Sequence, residues 1–401
     1  MITVAGGVYL ETCLDPDWQM VFGSGGRAAA GLASLVEGVR LHSYASPEIA
    51  PEAEALAATS GFDVALAGAP QTISFDYLHC MSNPVISPHP ERIKLQSPLE
   101  IESEVVLRFG FMEGDARVVG SRVVYDPQSP IAPQAFSANG SQAEHLAIVA
   151  NETEVRQLGR SSNWEAAAVQ VLLSERADVV IVKRGSHGAL VVTKNKQMCV
   201  PAYAMDHVFT IGSGDIFSAA FAYFWGLKGL DPFEAGDLAS RSSALYCHSQ
   251  SHCLKDSSYL RQTVTKVVRG LPDNHKVYLA GPFFNLPQRW LVEEARNQLH
   301  AQGLKVFSPL HDVGLGGTPA ALAAEDLNAL VACDRVLALL DGADPGTVFE
   351  VGYARSKGIP VIAFTQQLTG EPLTMIEGTG CEVVRDFASA IYRTSWVGRL
   401  G

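Results

Sequence analysis

Residues 177–185 read Ala-Asp-Val-Val-Ile-Val-Lys-Arg-Gly. Four consecutive β-branched residues are closed by two basic residues and a glycine. A short apolar run without polar alternation is the pattern of a strand buried on both faces of a parallel sheet. Runs of the same kind recur at 63–68 (DVALAG), 276–281 (KVYLAG), 334–342 (DRVLALLDG) and 360–365 (PVIAFT). Helix-like amphipathic patterns lie at 164–175, 214–227, 287–302 and 318–332. Strands alternating with helices predict an α/β chain with parallel sheets. Residues 84–131 differ in character. Segments such as EIESEVVLRFGF (100–111) and ARVVGSRVVYD (116–126) alternate, which predicts antiparallel or edge strands, a lid or an irregular part of the first sheet.

Several function classes fall away on composition. The 401 residues are 47% hydrophobic and 18% charged, enough for complete cores. A net charge of −12 argues against a surface for nucleic acid. No uninterrupted apolar stretch reaches the ~18 residues of a membrane span. The opening MITVAGGVYL lacks a basic segment and reads as a first strand. Seven scattered cysteines predict no disulfide framework, and a cytoplasmic location is expected. Cys247, His248, His252 and Cys253 lie too close together for the common zinc spacings. A boundary is expected at 270–275, Gly-Leu-Pro-Asp-Asn-His, where Gly270 and Pro272 end a helical pattern at 257–269. The expected domains are 1–272 and 273–401.

Residues 208–224 read VFTIGSGDIFSAAFAYF. Gly212-Ser213-Gly214-Asp215 is followed by apolar residues at helical spacing. Glycines at a helix opening leave N–H groups and the positive helix end available to a phosphate. Asp215 falls in the first turn, placed to take a proton from a hydroxyl. An ordinary Gly-rich turn with a capping Asp remains the plain alternative.

This stretch resembles the helix-opening motif of the PfkB (ribokinase-like) sugar and nucleoside kinases. Further pieces agree in order over about residues 1–270: Gly25-Gly26, Asp126-Pro127, the N-x-x-E segment Asn151 to Glu154, and Lys183-Arg184-Gly185 with Gly188. The resemblance implies a ribokinase-like α/β sandwich using ATP and Mg²⁺. It places Asp215 as base, and Gly212, Ser213 and Gly214 on the moving phosphoryl group. Asn151, Glu154, Lys183 and Gly185 fall at the nucleotide site, with Glu154 an indirect Mg²⁺ support. Gly25 and Gly26 would contact the sugar. Arg27-Ala28-Ala29-Ala30 stands where the family has Asn soon after Gly-Gly, and Phe209-Thr210 where it has Asp-Thr. A second reading therefore stays open: a degenerate kinase domain serving as a ligand-binding regulatory module.

The C-terminal portion carries Tyr278-Leu279-Ala280-Gly281-Pro282-Phe283-Phe284 at the end of a strand. Aromatic residues there can wall a flat pocket. Asp326 lies in a helical pattern, Asp344 in a loop after a strand, and Glu350 in the first turns of the next helix. Paired carboxylates suit N-glycosidic chemistry, and plain helix capping by Asp344 is the alternative. The order of these motifs, over about 273–396, resembles the nucleoside 2-deoxyribosyltransferases. The resemblance implies a smaller flavodoxin-like doubly wound parallel sheet without a cofactor, in a homo-oligomer whose subunits share sites. Glu350 would be the nucleophile, oriented by Tyr278. Asp344 and Asp326 would contact the departing base, one of them supplying or relaying a proton. Phe283 or Phe284 would pack on the nucleoside, while Gly281 lies on the pocket wall. Gly346 and Gly352 would permit close approach of backbone and helix. The expected function is bifunctional. One activity is N-glycosidic cleavage or base exchange on (deoxy)nucleosides or their monophosphates, and the other is ATP-dependent phosphorylation of a sugar or nucleoside.

Overall fold

The computed structural model describes residues 1–129, 132–270, 275–314 and 316–400. The chain divides into two compact units, Met1–Val267 and Val268–Gly401. The boundary expected at 272/273 lies outside the described residues.

In the first unit the Val179–Lys183 strand is buried at four of its five positions. It pairs in parallel with Gln142–Asn151, which pairs in parallel with Ala116–Asp126. Val105–Phe109, Ile2–Ala5, Val39–Ala45 and Asp63–Gly68 continue the sheet, all in parallel. At the opposite edge Ala189–Thr193 and Gln197–Val200 join as antiparallel strands. Side chains such as Val123, Ile148, Val180 and Val182 form one core with Val171 and Leu172 of the Trp164–Ser174 helix. A second, four-stranded sheet is built from Trp18–Val21, Leu10–Asp15, Ser74–His79 and Val85–Ser87.

Two expectations are corrected. Within 84–129, Val85–Ser87 is antiparallel as expected, but Val105–Phe109 is fully buried in the middle of the main sheet with parallel neighbours on both sides. Ala116–Asp126 misleads because its first half alternates buried and exposed while its last four residues are all buried. The helix expected over 257–269 ends at Thr263. Val264 follows in an extended conformation, as β-branched residues favour.

The second unit holds one parallel sheet in the order Lys305–Phe307, Lys276–Ala280, Arg335–Leu339, Val361–Phe364, Glu382–Val384. In chain order this is 2-1-3-4-5, the flavodoxin-like doubly wound arrangement. The order of strand addition reverses between the first and third strands. Ligands bind at such a switch point, beyond the carboxyl ends of the strands. Tyr278 and Gly281 arrive there from the first strand, and the Pro345–Ser356 helix follows the third.

One glycine positions the first unit's site through backbone approach. A Cβ on Gly25, in the opening turn of the Gly23–Ala33 helix, would lie 2.3 Å from the Gly6 carbonyl oxygen. Gly25→Ala should therefore force backbone movement and cost about 1–3 kcal/mol, the range for overpacking. Urea unfolding checks this; an unchanged midpoint would show that the two segments do not meet so closely.

Candidate functional sites

The carboxyl ends of two strands and the amino end of a helix meet in the first unit. The Ala116–Asp126 strand delivers Asp126, which is fully buried. The Val179–Lys183 strand ends on Lys183. Gly212, in a left-handed conformation (φ 78°), opens the Ser213–Phe221 helix. Lys183 Nζ donates to Asp126 Oδ2 at 2.5 Å, and Ser218 Oγ donates to the same oxygen at 2.7 Å. Burial raises the Asp126 carboxyl to about 6, against the pull of Lys183. Burial pulls Lys183 down, but Asp126, Glu154 and Asp215 outweigh it and hold the ammonium above its usual value. Arg184, just past the strand end, lies over the Trp164 ring and pairs with Glu152 at 2.9 Å.

Asp215 lies in the first helical turn with 7% exposure. Its Oδ2 accepts from Arg27 Nη1 at 2.7 Å, and its Oδ1 accepts from the Gln128 amide. Arg27 is 1% exposed and is also bound to Glu11. Burial raises the Glu11 carboxyl, which Arg27 opposes. A cavity of about 560 Å³ opens over this group, with Tyr77, Phe75 and Phe111 among its walls.

The structure brings Gly212, Ser213, Gly214, Asp215 and Lys183 together. Ser213 N–H is committed to the Thr210 carbonyl at 3.1 Å, so the helix-opening donors left for a ligand are those of Gly214 and Asp215. Asn151 and Glu154 form a reciprocal cap, with Glu154 N–H on Asn151 Oδ1 (2.9 Å) and Asn151 N–H on Glu154 Oε2 (2.8 Å). Gly185, at φ 52°, starts the tight turn after Lys183. At the Gly-Gly pair the cavity is lined by the neighbours Ser24 and Arg27, while Gly25 packs on Gly6 and Gly26 beside Leu56. Oxygen donors at Asp126 and Glu154 suit a hard cation such as Mg²⁺. Among the described residues no group of three or more His, Cys, Asp or Glu could grip a metal ion by itself.

Sequence reasoning registered Arg27 only as a departure, and it missed Glu11 and Gln128. A signal was present for Arg27: a lone charge inside the small-residue run GSGGRAAAG (23–31).

In the second unit Tyr278 is fully buried, and its hydroxyl donates to Glu350 Oε1 at 2.6 Å. Burial pushes the Glu350 carboxyl up to about 7; the tyrosine bond lowers it, while Asp326 and Asp344 raise it. Both aspartates therefore act on the same carboxyl. Asp326 Oδ1 is buried without a hydrogen-bond partner. Asp344 caps the Pro345–Ser356 helix, its Oδ2 accepting from the N–H (2.8 Å) and the hydroxyl (2.9 Å) of Thr347. Capping fixes that carboxylate without consuming all its acceptor sites. A Cβ on Gly346 would sit 3.1 Å from Asp344 Oδ2, and one on Gly281 3.1 Å from Leu339. At Gly352 a Cβ would meet nothing within 4 Å, so the close approach expected there is absent. Phe283 and Phe284 lie with ring centres 5.7 Å apart, Phe284 being 69% exposed. A separate cavity of about 310 Å³ is lined by Pro282, Asn285, Leu291, Asp341 and Phe364; Glu350 is outside that lining.

Comparisons with known proteins agree with this division. Residues 120–256 match the family model of pfkB family carbohydrate kinases, and residues 277–382 match that of nucleoside 2-deoxyribosyltransferases. The deoxyribokinase of Salmonella typhi is 33% identical over 86 residues, 20% of this chain and 28% of that protein. A deoxyribokinase of Salmonella typhimurium gives the same figures. The chain thus spans 28% of the length of these curated relatives. Among solved structures, a fructokinase from Vibrio cholerae O395 with fructose, ADP and calcium aligns at 15% identity. It covers 66% of this chain and 99% of that one, with a TM-score of 0.49. A ribokinase from Thermotoga maritima aligns at 19% identity over 65% of this chain and 98% of its own, with a TM-score of 0.46. The chain is a fusion of an N-terminal kinase-like unit and a C-terminal transferase-like unit.

The raised Glu350 carboxyl has a stability consequence. The native state keeps that proton up to about pH 7, whereas a free glutamate releases it near 4.5. The native state then binds more protons between those values, so its stability falls as pH rises from 4.5 to 7. Glu350→Gln should remove that loss and melt higher, relative to the wild type, at pH 8 than at pH 5. Parallel melting curves at the two pH values would contradict it.

Proposed function

We propose that the chain is a bifunctional enzyme of nucleoside or nucleotide metabolism. Its C-terminal unit cleaves or exchanges the N-glycosidic bond of (deoxy)nucleosides or their monophosphates. The observation that carries this reading is the Tyr278–Glu350 hydrogen bond of 2.6 Å, made to a half-buried carboxyl that both Asp326 and Asp344 influence. The tyrosine fixes one oxygen and leaves the other to attack the anomeric carbon. The bond from that carbon to the base nitrogen breaks as the ester to Glu350 forms, and its electron pair leaves with the base. Asp326 or Asp344 supplies or relays the proton that the base takes up. Water or a second base then displaces Glu350. An exposed Phe284 beside Phe283 offers a face for the nucleoside.

The N-terminal unit phosphorylates a sugar or nucleoside. Asp215 takes the hydroxyl proton, and the helix opening at Gly214 meets the moving phosphoryl group. Asn151, Glu154 and Gly185 border the nucleotide, and Gly25 and Gly26 lie on the acceptor side, where Gly25 packs on Gly6 and Gly26 beside Leu56. ATP with Mg²⁺ supplies the phosphoryl group and offsets its charge. The fructokinase neighbour holds ADP and calcium, in keeping with this donor class. Seven free thiols fit a reducing, cytoplasmic setting.

Incubation with mixed (deoxy)nucleosides, their monophosphates and pentoses, with and without Mg-ATP, separates the two activities by mass spectrometry. Glu350→Gln should abolish free base and exchanged nucleoside while leaving phosphate esters. Asp215→Asn should reduce phosphate ester by roughly 10²–10⁴-fold, the usual worth of a general base, while leaving base release. Base release by Glu350→Gln at the wild-type rate would remove the glycosidic assignment. Undiminished phosphorylation by Asp215→Asn would remove the kinase assignment.

A further inference from the structure

We infer that Gln128 keeps water off the base of the phosphoryl-transfer site, so that the phosphoryl group passes to the acceptor and not to solvent. This rests on the kinase reading of the first unit.

The size of the cavity sets the problem. About 560 Å³ of space lies over Asp215, with Glu11, Arg27 and Gln128 among its polar walls. A polar space of that size holds water whenever no acceptor fills it. A general base open to that water would promote its attack on the nucleotide, and ATP would be hydrolysed to no use.

Asp215 meets the cavity with a donor already on each oxygen. Arg27 Nη1 holds Oδ2 at 2.7 Å, and the Gln128 amide donates to Oδ1. The two donors differ in kind. Arg27 is 1% exposed, charged and also paired with Glu11, so it is fixed. Gln128 is neutral and lines the cavity, and among the described residues Asp215 is the one hydrogen-bond partner of its side chain. An incoming hydroxyl can take its place by exchanging one N–H donor for one O–H donor. A sugar or nucleoside has further atoms to set against Phe75, Tyr77 and Phe111, and that contact drives the exchange. Water has none.

The backbone aims the amide. Gln128 sits at φ 34°, in the left-handed region that residues with a side chain seldom adopt. Such conformations persist where the surroundings impose them, and they concentrate at functional sites. Gly110 lies against this turn. A Cβ on it would be 2.0 Å from the Pro127 carbonyl oxygen and 3.3 Å from that of Gln128. Gly110 N–H also donates to the Asp126 carbonyl at 3.0 Å. The turn is thus held from Asp126 to Gln128, and movement falls to the side chain. A purely structural role fits this poorly. Arg27 already balances the charge of Asp215, and cavity water would satisfy its second oxygen. A strained residue that brings a donor to an oxygen water could serve adds little stability, but it does exclude the water.

In hydrolysis a water oxygen would bond to the terminal phosphorus as the bond to ADP breaks, and one water proton would pass to Asp215. Gln128 occupies the carboxylate oxygen that would take it. In transfer the acceptor hydroxyl displaces the amide and makes the same bond changes, with its own oxygen on phosphorus and its own proton on Asp215.

The test uses the full chain with Mg-ATP alone and reads ADP and phosphate formed without any acceptor. The variants are Gln128→Ala, Gln128→Gly, and Gln128→Gly combined with Asp215→Asn. Glycine adopts φ 34° freely, so that variant keeps the turn. Both single variants should raise acceptor-free hydrolysis at least about tenfold over the wild type, a fraction of what a positioned base contributes. The combined variant should return it to the wild-type level. Hydrolysis at the wild-type rate in both single variants, or a rise that survives Asp215→Asn, would overturn the guarding role. The kinase reading would then still stand on phosphorylation of the pentose and nucleoside mixture. A wild-type chain that binds no Mg-ADP by calorimetry and phosphorylates nothing in that mixture would overturn both.

Discussion

A buried ion pair between Lys183 and Asp126 joins the ends of two parallel strands to the helix that opens after Gly212. Ser218 on that helix closes the third side. Such a pair repays its desolvation only with good geometry and additional hydrogen bonds. The 2.5 Å and 2.7 Å contacts to one oxygen supply both. The parallel sheet makes this possible, because its strands end on one edge and deliver side chains there at fixed spacing. The Arg27 bridge to Glu11 and Asp215 extends the same network across the floor of the cavity.

The second unit solves a similar problem with a neutral donor. Tyr278 comes from the first strand of its sheet, and Glu350 from the helix that follows the third. A 2.6 Å hydrogen bond spans the switch point between them. Burial makes this carboxyl reluctant to ionise, and the two aspartates add to that reluctance. A carboxylate so held is more basic than a free one and partly withdrawn from water. The two units thus rest on the same principle: polar groups set at a sheet edge, with partners chosen before a substrate arrives.

The parallel strands were legible in the sequence because burial on both faces leaves an uninterrupted apolar run, as at 179–182 and 336–340. Val105–Phe109 escaped because Arg108 interrupts its run. That arginine is 1% exposed and paired with Asp115, so it is core despite its charge. Ala116–Asp126 escaped because only half of it is covered on both faces. At the sites, residues inside local motifs could be named, since Gly212 to Asp215 and Asp344 to Glu350 are each contiguous. Partners from distant strands could not. Neither Glu11 beside Arg27 nor Gln128 beside Asp215 lies within a motif, and one-dimensional spacing does not report their approach.

Acid quench of the wild-type chain during reaction with a deoxynucleoside, followed by peptide mass spectrometry, tests the glycosidic chemistry most directly. A deoxyribosyl ester should appear on the peptide containing Glu350 and should decay when a second base or water is given time to react. Release of free base with no such adduct at any quench time, or an adduct confined to another residue, would contradict a covalent mechanism at Glu350.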